Sequence, residues 1–248
     1  MSDLFHENVT DEMRDQIFAV MALCPQHVFQ VLTKRPERML SYLGASSILR
    51  TDRIVKMVGL RFPIGTEAKL QPICWPLPNV WLGVSVENRA AANERIPLLL
   101  QTPAAKRFVS CEPLLSKLTF RWARWDDHAP NLRRVKQLPP VERGGKILAG
   151  CVDHLDGLRM LDWVICGGES GPHARPMHPN WARSLRDQCA AAQVPFFLKQ
   201  WGEWAPTDFS VANGGHVSGD GAMARVGKKS AGALLDGQEY KSFPVSER

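Results

Sequence analysis

Val80-Trp81-Leu82-Gly83-Val84-Ser85-Val86-Glu87-Asn88 reads as a strand of β-branched and aromatic residues that runs out into polar groups. Asn88 then caps a helix from Arg89 to Arg95, and Pro97 restarts a second short turn through Leu100. The same grammar recurs outward in both directions, in Val28-Phe29-Gln30-Val31-Leu32, Arg107-Phe108-Val109-Ser110, Trp163-Val164-Ile165-Cys166 and Pro195-Phe196-Phe197-Leu198. Between such strands the apolar spacing changes to that of helices. Pro179 opens one with Trp181, Leu185 and Cys189 at i, i+4 and i+8, ending near Gln193. Thr10 caps another that carries Met13, Ile17, Val20 and Met21 on one face and stops at Pro25. Strand-helix alternation of this kind predicts an α/β fold with a parallel sheet, either doubly wound or closed as a barrel.

At 248 residues the chain is about 1.7 domains of ~150 residues, long enough to bury a core without disulfides. Apolar content of 44% with 23% charged residues excludes a disordered or fibrous chain. The run Ile17 to Cys24 is far short of the ~20 residues of a membrane span, and the acidic start (Asp3, Glu7, Asp11, Glu12) is unlike a signal peptide, so a cytoplasmic location is expected. Six cysteines, no two closer than fifteen residues, encode neither a zinc ribbon nor an iron–sulfur triad and read as small buried hydrophobes. Cys111, Cys166, His173 and His178 lack diagnostic zinc spacing.

Two stretches interrupt the alternation and read as insertions, about 44–78 and 122–157. The second is basic, with seven basic and three acidic residues from Arg121 to Lys146, and together with the net charge of +6 it admits an anionic partner. Domain organisation follows: 1–205 as the strand-helix domain and 206–248 as a C-terminal extension packing on it. The extension is expected to end in a short helix running from Gly227 to Gly237.

Both parallel architectures place their sites at the carboxyl ends of the strands. There the chain carries Thr33-Lys34-Arg35, Ser85-Val86-Glu87-Asn88, Ser110-Cys111-Glu112, Gly167-Gly168-Glu169-Ser170-Gly171 and Lys199-Gln200-Trp201. If they converge, opposite charges pair or clamp a zwitterionic ligand. Lys34 and Arg35 before Pro36 suit a phosphate or carboxylate, or form an ordinary surface pair. Glu87 and Glu112 are ligand contacts or halves of internal salt bridges, and Asn88 is a contact or a helix cap. Gly167 and Gly168 allow backbone approach to a ligand with Glu169 as acceptor, or simply make a tight turn. Ser170, Lys199 and Gln200 complete the set, and Trp201 with Trp204 stacks a base or packs under the tail. No nucleophile elbow, phosphate loop or zinc-protease motif occurs.

Five segments of the chain together resemble a family of unknown function named after phage gene products thirty-seven and sixty-eight, the three-Cys-motif family. They are Phe29 to Met39, Asn79 to Asn88, Arg107 to Leu115, Asp162 to Gly171 and Phe196 to Gly202. The resemblance implies a radical S-adenosylmethionine-like protein with an incomplete parallel (β/α) barrel. It also implies an S-adenosylmethionine site with Ser85, Glu87 and the Gly167–Glu169 turn as candidate contacts. A 4Fe-4S cluster is implied for full-length relatives, on a cysteine segment that this sequence does not show, since Met1 to His6 resembles a strand end already past it. The implied protein is thus a truncated or cluster-less relative, alone inactive, whose unpaired edge strand calls for a partner or a missing segment. A three-Cys-motif partner protein is a further implied partner. Two other functions compete: a nucleic-acid-binding accessory protein, and a hydrolase using Glu87, Glu112 and Glu169 as acid and base.

Overall fold

Every strand expected from the sequence forms. The computed structural model describes residues 3–44, 46–61, 63, 66, 74–121, 141–143, 146–148, 155–207, 216–217 and 222–245. In chain order the elements begin with α1 (Asp11–Leu23), β1 (Phe29–Thr33), α2 (Pro36–Leu43), α3 (Ser47–Arg61), β2 (Val80–Ser85), α4 (Arg89–Gln101) and β3 (Lys106–Cys111). They continue with β4 (Val141–Arg143), β5 (Lys146–Leu148), α5 (Asp156–Arg159), β6 (Trp163–Gly167), α6 (Pro179–Ala192) and β7 (Phe196–Gln200). The C-terminal part holds β8 (Trp204–Pro206), β9 (His216–Val217), β10 (Met223–Arg225), α7 (Lys228–Ala231), β11 (Leu234–Leu235) and β12 (Gln238–Glu239).

Five strands make one parallel sheet in the order β1-β2-β3-β6-β7. Spatial order therefore follows chain order without the reversal that defines a doubly wound sheet. The helices accordingly share one face: Phe18, Met39, Ile54, Ile96, Leu99, Leu185 and Cys189 join Val31, Leu82, Val84, Val109, Cys111, Val164, Cys166 and Leu198 in a single core cluster. Because successive strand residues point to opposite faces, the other face carries Trp81, Phe108 and Trp163, with Leu32, Ile165 and Phe197 against them. This is the arrangement of an arc cut from a parallel (β/α) fold, helices outside and an aromatic inner face. The inner aromatics are held by the chain's end: the Trp163 indole N–H donates to Ser242 O at 2.8 Å, and Phe243 packs 5.1 Å from both Trp163 and Phe197.

Local chemistry explains most boundaries. Thr10 accepts from Met13 N at the start of α1, Asn88 accepts from Ala91 N at the start of α4, and Pro179 occupies the first turn of α6. Three expectations need correction, and the apolar stripe of α1 is divided: Met13, Ile17 and Val20 are 51%, 39% and 44% exposed, while Met21 is buried together with Arg14, Asp15, Phe18 and Ala19. The buried polar pair is satisfied, with the Tyr42 hydroxyl and Arg53 donating to Asp15 and Arg14 donating to Leu4 O, so it costs little to turn inward. Pro97 does not restart a helix, for α4 runs through it. The penalty of about 3 kcal/mol for an interior proline is outweighed by burying Ile96, Leu99 and Leu100, each contributing roughly 1.5–3 kcal/mol. The 44–78 stretch contains α3, which sends Ile54, Met57 and Val58 into the core and so belongs to the crossover between β1 and β2. Finally, the helix expected over 227–237 shrinks to α7, and β11 and β12 form a hairpin over positive-φ residues Asp236 and Gly237.

The C-terminal part is continuous with the sheet domain. Strands β8, β10 and β9 form a small antiparallel sheet, and Met223 and Leu235 join the main core. Residues 240–242 lie antiparallel along the outer side of β7, with Leu198 N donating to Tyr240 O and Ser242 N to Phe196 O. Apart from β4 and β5, which pair as a hairpin, the basic stretch 122–154 lies outside the described residues. No helix among the described residues is long and apolar enough to cross a membrane.

Candidate functional site

The carboxyl ends of β1, β2, β3, β6 and β7 put small residues on the inner face above the aromatics. Ser85 and Ser110 stand in register on neighbouring strands, and Gly167 follows on β6. Charged side chains rise on either side of this shelf. Lys34 forms an ion pair with Glu87, whose other oxygen accepts from Arg95 at 3.0 Å. Lys199 pairs with Glu112 Oε2 at 2.9 Å, and Gln200 donates to Glu112 Oε1 at 2.9 Å. The lysine ends are open, with 54% and 55% side-chain exposure for Lys34 and Lys199, whereas Glu87 and Glu112 stand at 11% and 18%. Burial opposes ionisation of Glu87, but the bonds from Lys34 and Arg95 prevail and keep its carboxyl below the usual range.

Gly167 is what lets the second pair form across a strand. A Cβ there would lie 3.1 Å from Glu112 Cγ, so the bare backbone gives Glu112 the space to reach from β3 toward Lys199 on β7. Gly168 serves packing instead: a Cβ on it would stand 1.9 Å from Trp201 O, and one on Gly202 would stand 2.0 Å from Glu169 O. The loops after β6 and β7 are thus pressed backbone to backbone, joined by Gly168 N to Gln200 O and Glu203 N to Glu169 O.

The remaining sequence candidates divide plainly. Glu169 is gripped by Arg175, whose Nε, Nη2 and backbone N all donate to it within 2.9 Å, and these bonds hold its pKa at about 2. Ser170 Oγ lies 3.4 Å from Gln200 Nε2. Arg35 stands at the head of α2 and pairs with Asp3, and Asn88 is the cap of α4. Trp201 is 1% exposed with its indole N–H on Leu234 O and so packs under the tail, while Trp204 donates to Ala174 O in the loop after β6. Glu87 and Glu169 are thus both carboxylates held ionised by the cations beside them.

Three groups at the rim escaped sequence reasoning. Asp3 accepts from Thr33 Oγ1, Lys34 N and Arg35, bonds that outweigh burial and lower its pKa. Arg95 reaches Glu87 from the second turn of α4, and Arg175 comes from a loop with no local signature. Cys111, Cys166 and Cys189 are buried in the helix-side core, and among the described residues no three His, Cys, Asp or Glu side chains gather as a metal ion would need.

A family model described as protein of unknown function (DUF5131) matches residues 1–244. The chain belongs to that family. No curated protein and no solved structure matched it.

Proposed function

We propose that the carboxyl rim binds a small zwitterionic molecule of the S-adenosylmethionine class, in line with the resemblance to a radical S-adenosylmethionine-like family. One observation carries the reading: two lysine–carboxylate pairs, Lys34–Glu87 and Lys199–Glu112, flank a shelf of Ser85, Ser110 and Gly167. An amino-acid headgroup carries one ammonium and one carboxylate, and it inserts by exchanging each charge with the matching member of a pair. The half-exposed lysines swing toward a ligand carboxylate, while the buried Glu87 and the partly buried Glu112 remain in place to accept from its ammonium. Ser85, Ser110 and Gln200 offer uncharged polar groups beside them. Beyond Gly167, Gly168 and Glu169 support the site by packing and by the Arg175 pair rather than by direct contact. Neither phage origin nor radical chemistry is required for this reading, and no reaction step is assigned to the described residues.

Isothermal titration calorimetry tests it with S-adenosylmethionine, S-adenosylhomocysteine and decarboxylated S-adenosylmethionine. The expected result is binding of the first two, at least tenfold weaker binding of the decarboxylated form, and comparable loss in Glu112→Gln and Lys199→Met at unchanged circular dichroism. Equal affinity for the decarboxylated compound, or no heat with any of the three at millimolar concentration, refutes the proposal.

A further inference from the structure

Ion pairs at the two ends of the sheet are layered in opposite senses. In the loops after β6 and β7 the cation is outermost: Arg175 is 61% exposed over Glu169 at 25%, and Lys199 is 55% exposed over Glu112 at 18%. At the start of α1 the acid is outermost, with Asp11 at 61% over Arg14 at 4%. Three further cations join Arg175 and Lys199. Arg225 donates to the carbonyl oxygens of Gly171 and Pro172, and Lys228 and Lys229 of α7 are exposed with no carboxylate partner among the described residues. The other acid of these loops, Glu203, is turned onto Gly171 N. Backbone bonds make one surface of the pieces, for Glu203 N donates to Glu169 O, Gly227 N to Glu203 O and Trp201 N to Gly232 O, each at 3.0 Å.

We propose that this surface holds the phosphate backbone of a single nucleic-acid strand. Phosphate contact requires accessible cations on a fixed frame and no apolar seat. Among the described residues the loops after β6 and β7 and α7 expose no large apolar side chain, whereas a protein partner needs an apolar centre and a bilayer needs apolar side chains to enter it. The carboxylates of Glu112 and Glu169 lie beneath Lys199 and Arg175, so they hold the cations in place and stay behind them when a phosphate approaches. Arg175 and Arg225 supply planar donor forks, and Lys228 and Lys229 add mobile point charges beside them. The inference stands on the placement of these cations and does not require a zwitterion at the neighbouring rim.

Fluorescence anisotropy of a labelled single-stranded DNA of about 20 nucleotides tests it on the full chain. With about four phosphates neutralised, affinity is expected to fall roughly 50-fold between about 50 and 200 mM salt. Combining Lys228→Gln with Lys229→Gln removes about two of those contacts, which should weaken binding at least fivefold at the lower salt and cut the salt dependence to roughly sevenfold, at unchanged circular dichroism. The matched control, Lys56→Gln with Arg61→Gln, takes the same charge from α3 and should leave both values within twofold. No binding at the lower salt overturns the proposal, as does binding unchanged by the α7 variant. Equal losses in the two double variants overturn it too, because net charge alone is then at work. Equal affinity for a polyglutamate of matching charge has the same force, since the surface then takes any acidic chain.

Discussion

Replacing Gly168 with alanine tests the contact that joins the loops after β6 and β7. The added methyl would lie 1.9 Å from the Trp201 carbonyl oxygen and 2.5 Å from its carbon, against the 3.0 Å below which real contacts of this kind essentially never fall. The obstacle is backbone, so no rotamer change relieves it, and the loops must separate by about an ångström. Such a separation strains the bonds Gly168 N to Gln200 O at 2.9 Å and Glu203 N to Glu169 O at 3.0 Å. Overpacking costs about 1–3 kcal/mol and two weakened hydrogen bonds about 1 kcal/mol each. The total is about 4 kcal/mol, a large share of the roughly 5–15 kcal/mol that stabilises an ordinary domain. With a urea slope of about 2–3 kcal/mol/M, the unfolding midpoint falls by roughly 1.3–2 M. Gly59→Ala is the control, since Gly59 is helical with nothing within 4 Å of its Cβ position. It is expected to raise stability by about 0.5–1 kcal/mol. A Gly168→Ala midpoint equivalent to less than about 0.5 kcal/mol from wild type refutes the reasoning.

Asn79→Ala removes a buried amide that donates to Met21 O, Cys24 O and His27 O, and is expected to cost about 2 kcal/mol by urea unfolding because those carbonyls lose their donor. Arg175→Ala releases Glu169, and carboxyl-carbon NMR titration should show its pKa returning from about 2 to the ordinary carboxylate range. Because the folded pKa is depressed, the stability this pair gives is complete above the ordinary carboxylate pKa and is lost as pH falls through about 2; the variant's stability should therefore decline less with acidification over that window. Burial pushes the thiols of Cys111 and Cys166 up and that of Cys189 to about 12, so at pH 8 a thiol reagent should spare these three in the native protein while modifying exposed Cys74, as peptide mapping reports.

The strands and caps were legible because their signals are local. A run such as Val80 to Ser85 has one buried solution, and Asn88 and Pro179 each satisfy a helix start within three residues. The strand order was legible only to the extent of parallel pairing, since barrel-like and doubly wound sheets share the same local grammar. What escaped depends on distant partners. The face that α1 buries includes Arg14 and Asp15, which find their satisfaction in Leu4, Tyr42 and Arg53. Pro97 was read as a break because the burial that outweighs it lies across the core. At the rim the exits of the five strands identified Glu87, Glu112, Lys34 and Lys199, but not which charges would meet: Lys199 reaches Glu112 over Gly167 across an intervening strand. Arg95 and Arg175 were invisible for the same reason, as their partners are fixed by loop geometry.

The central claim is that the rim's two ion pairs open to receive a zwitterion. Reductive ¹³C-methylation of the lysines, followed by NMR titration with S-adenosylmethionine, reads Lys34 and Lys199 directly, once single Lys34→Arg and Lys199→Arg variants assign the signals. Saturable shifts of both signals are expected on addition of ligand, with the other lysines unmoved and the response abolished in Glu112→Gln. Unchanged Lys34 and Lys199 signals at millimolar ligand would rule out the zwitterion site.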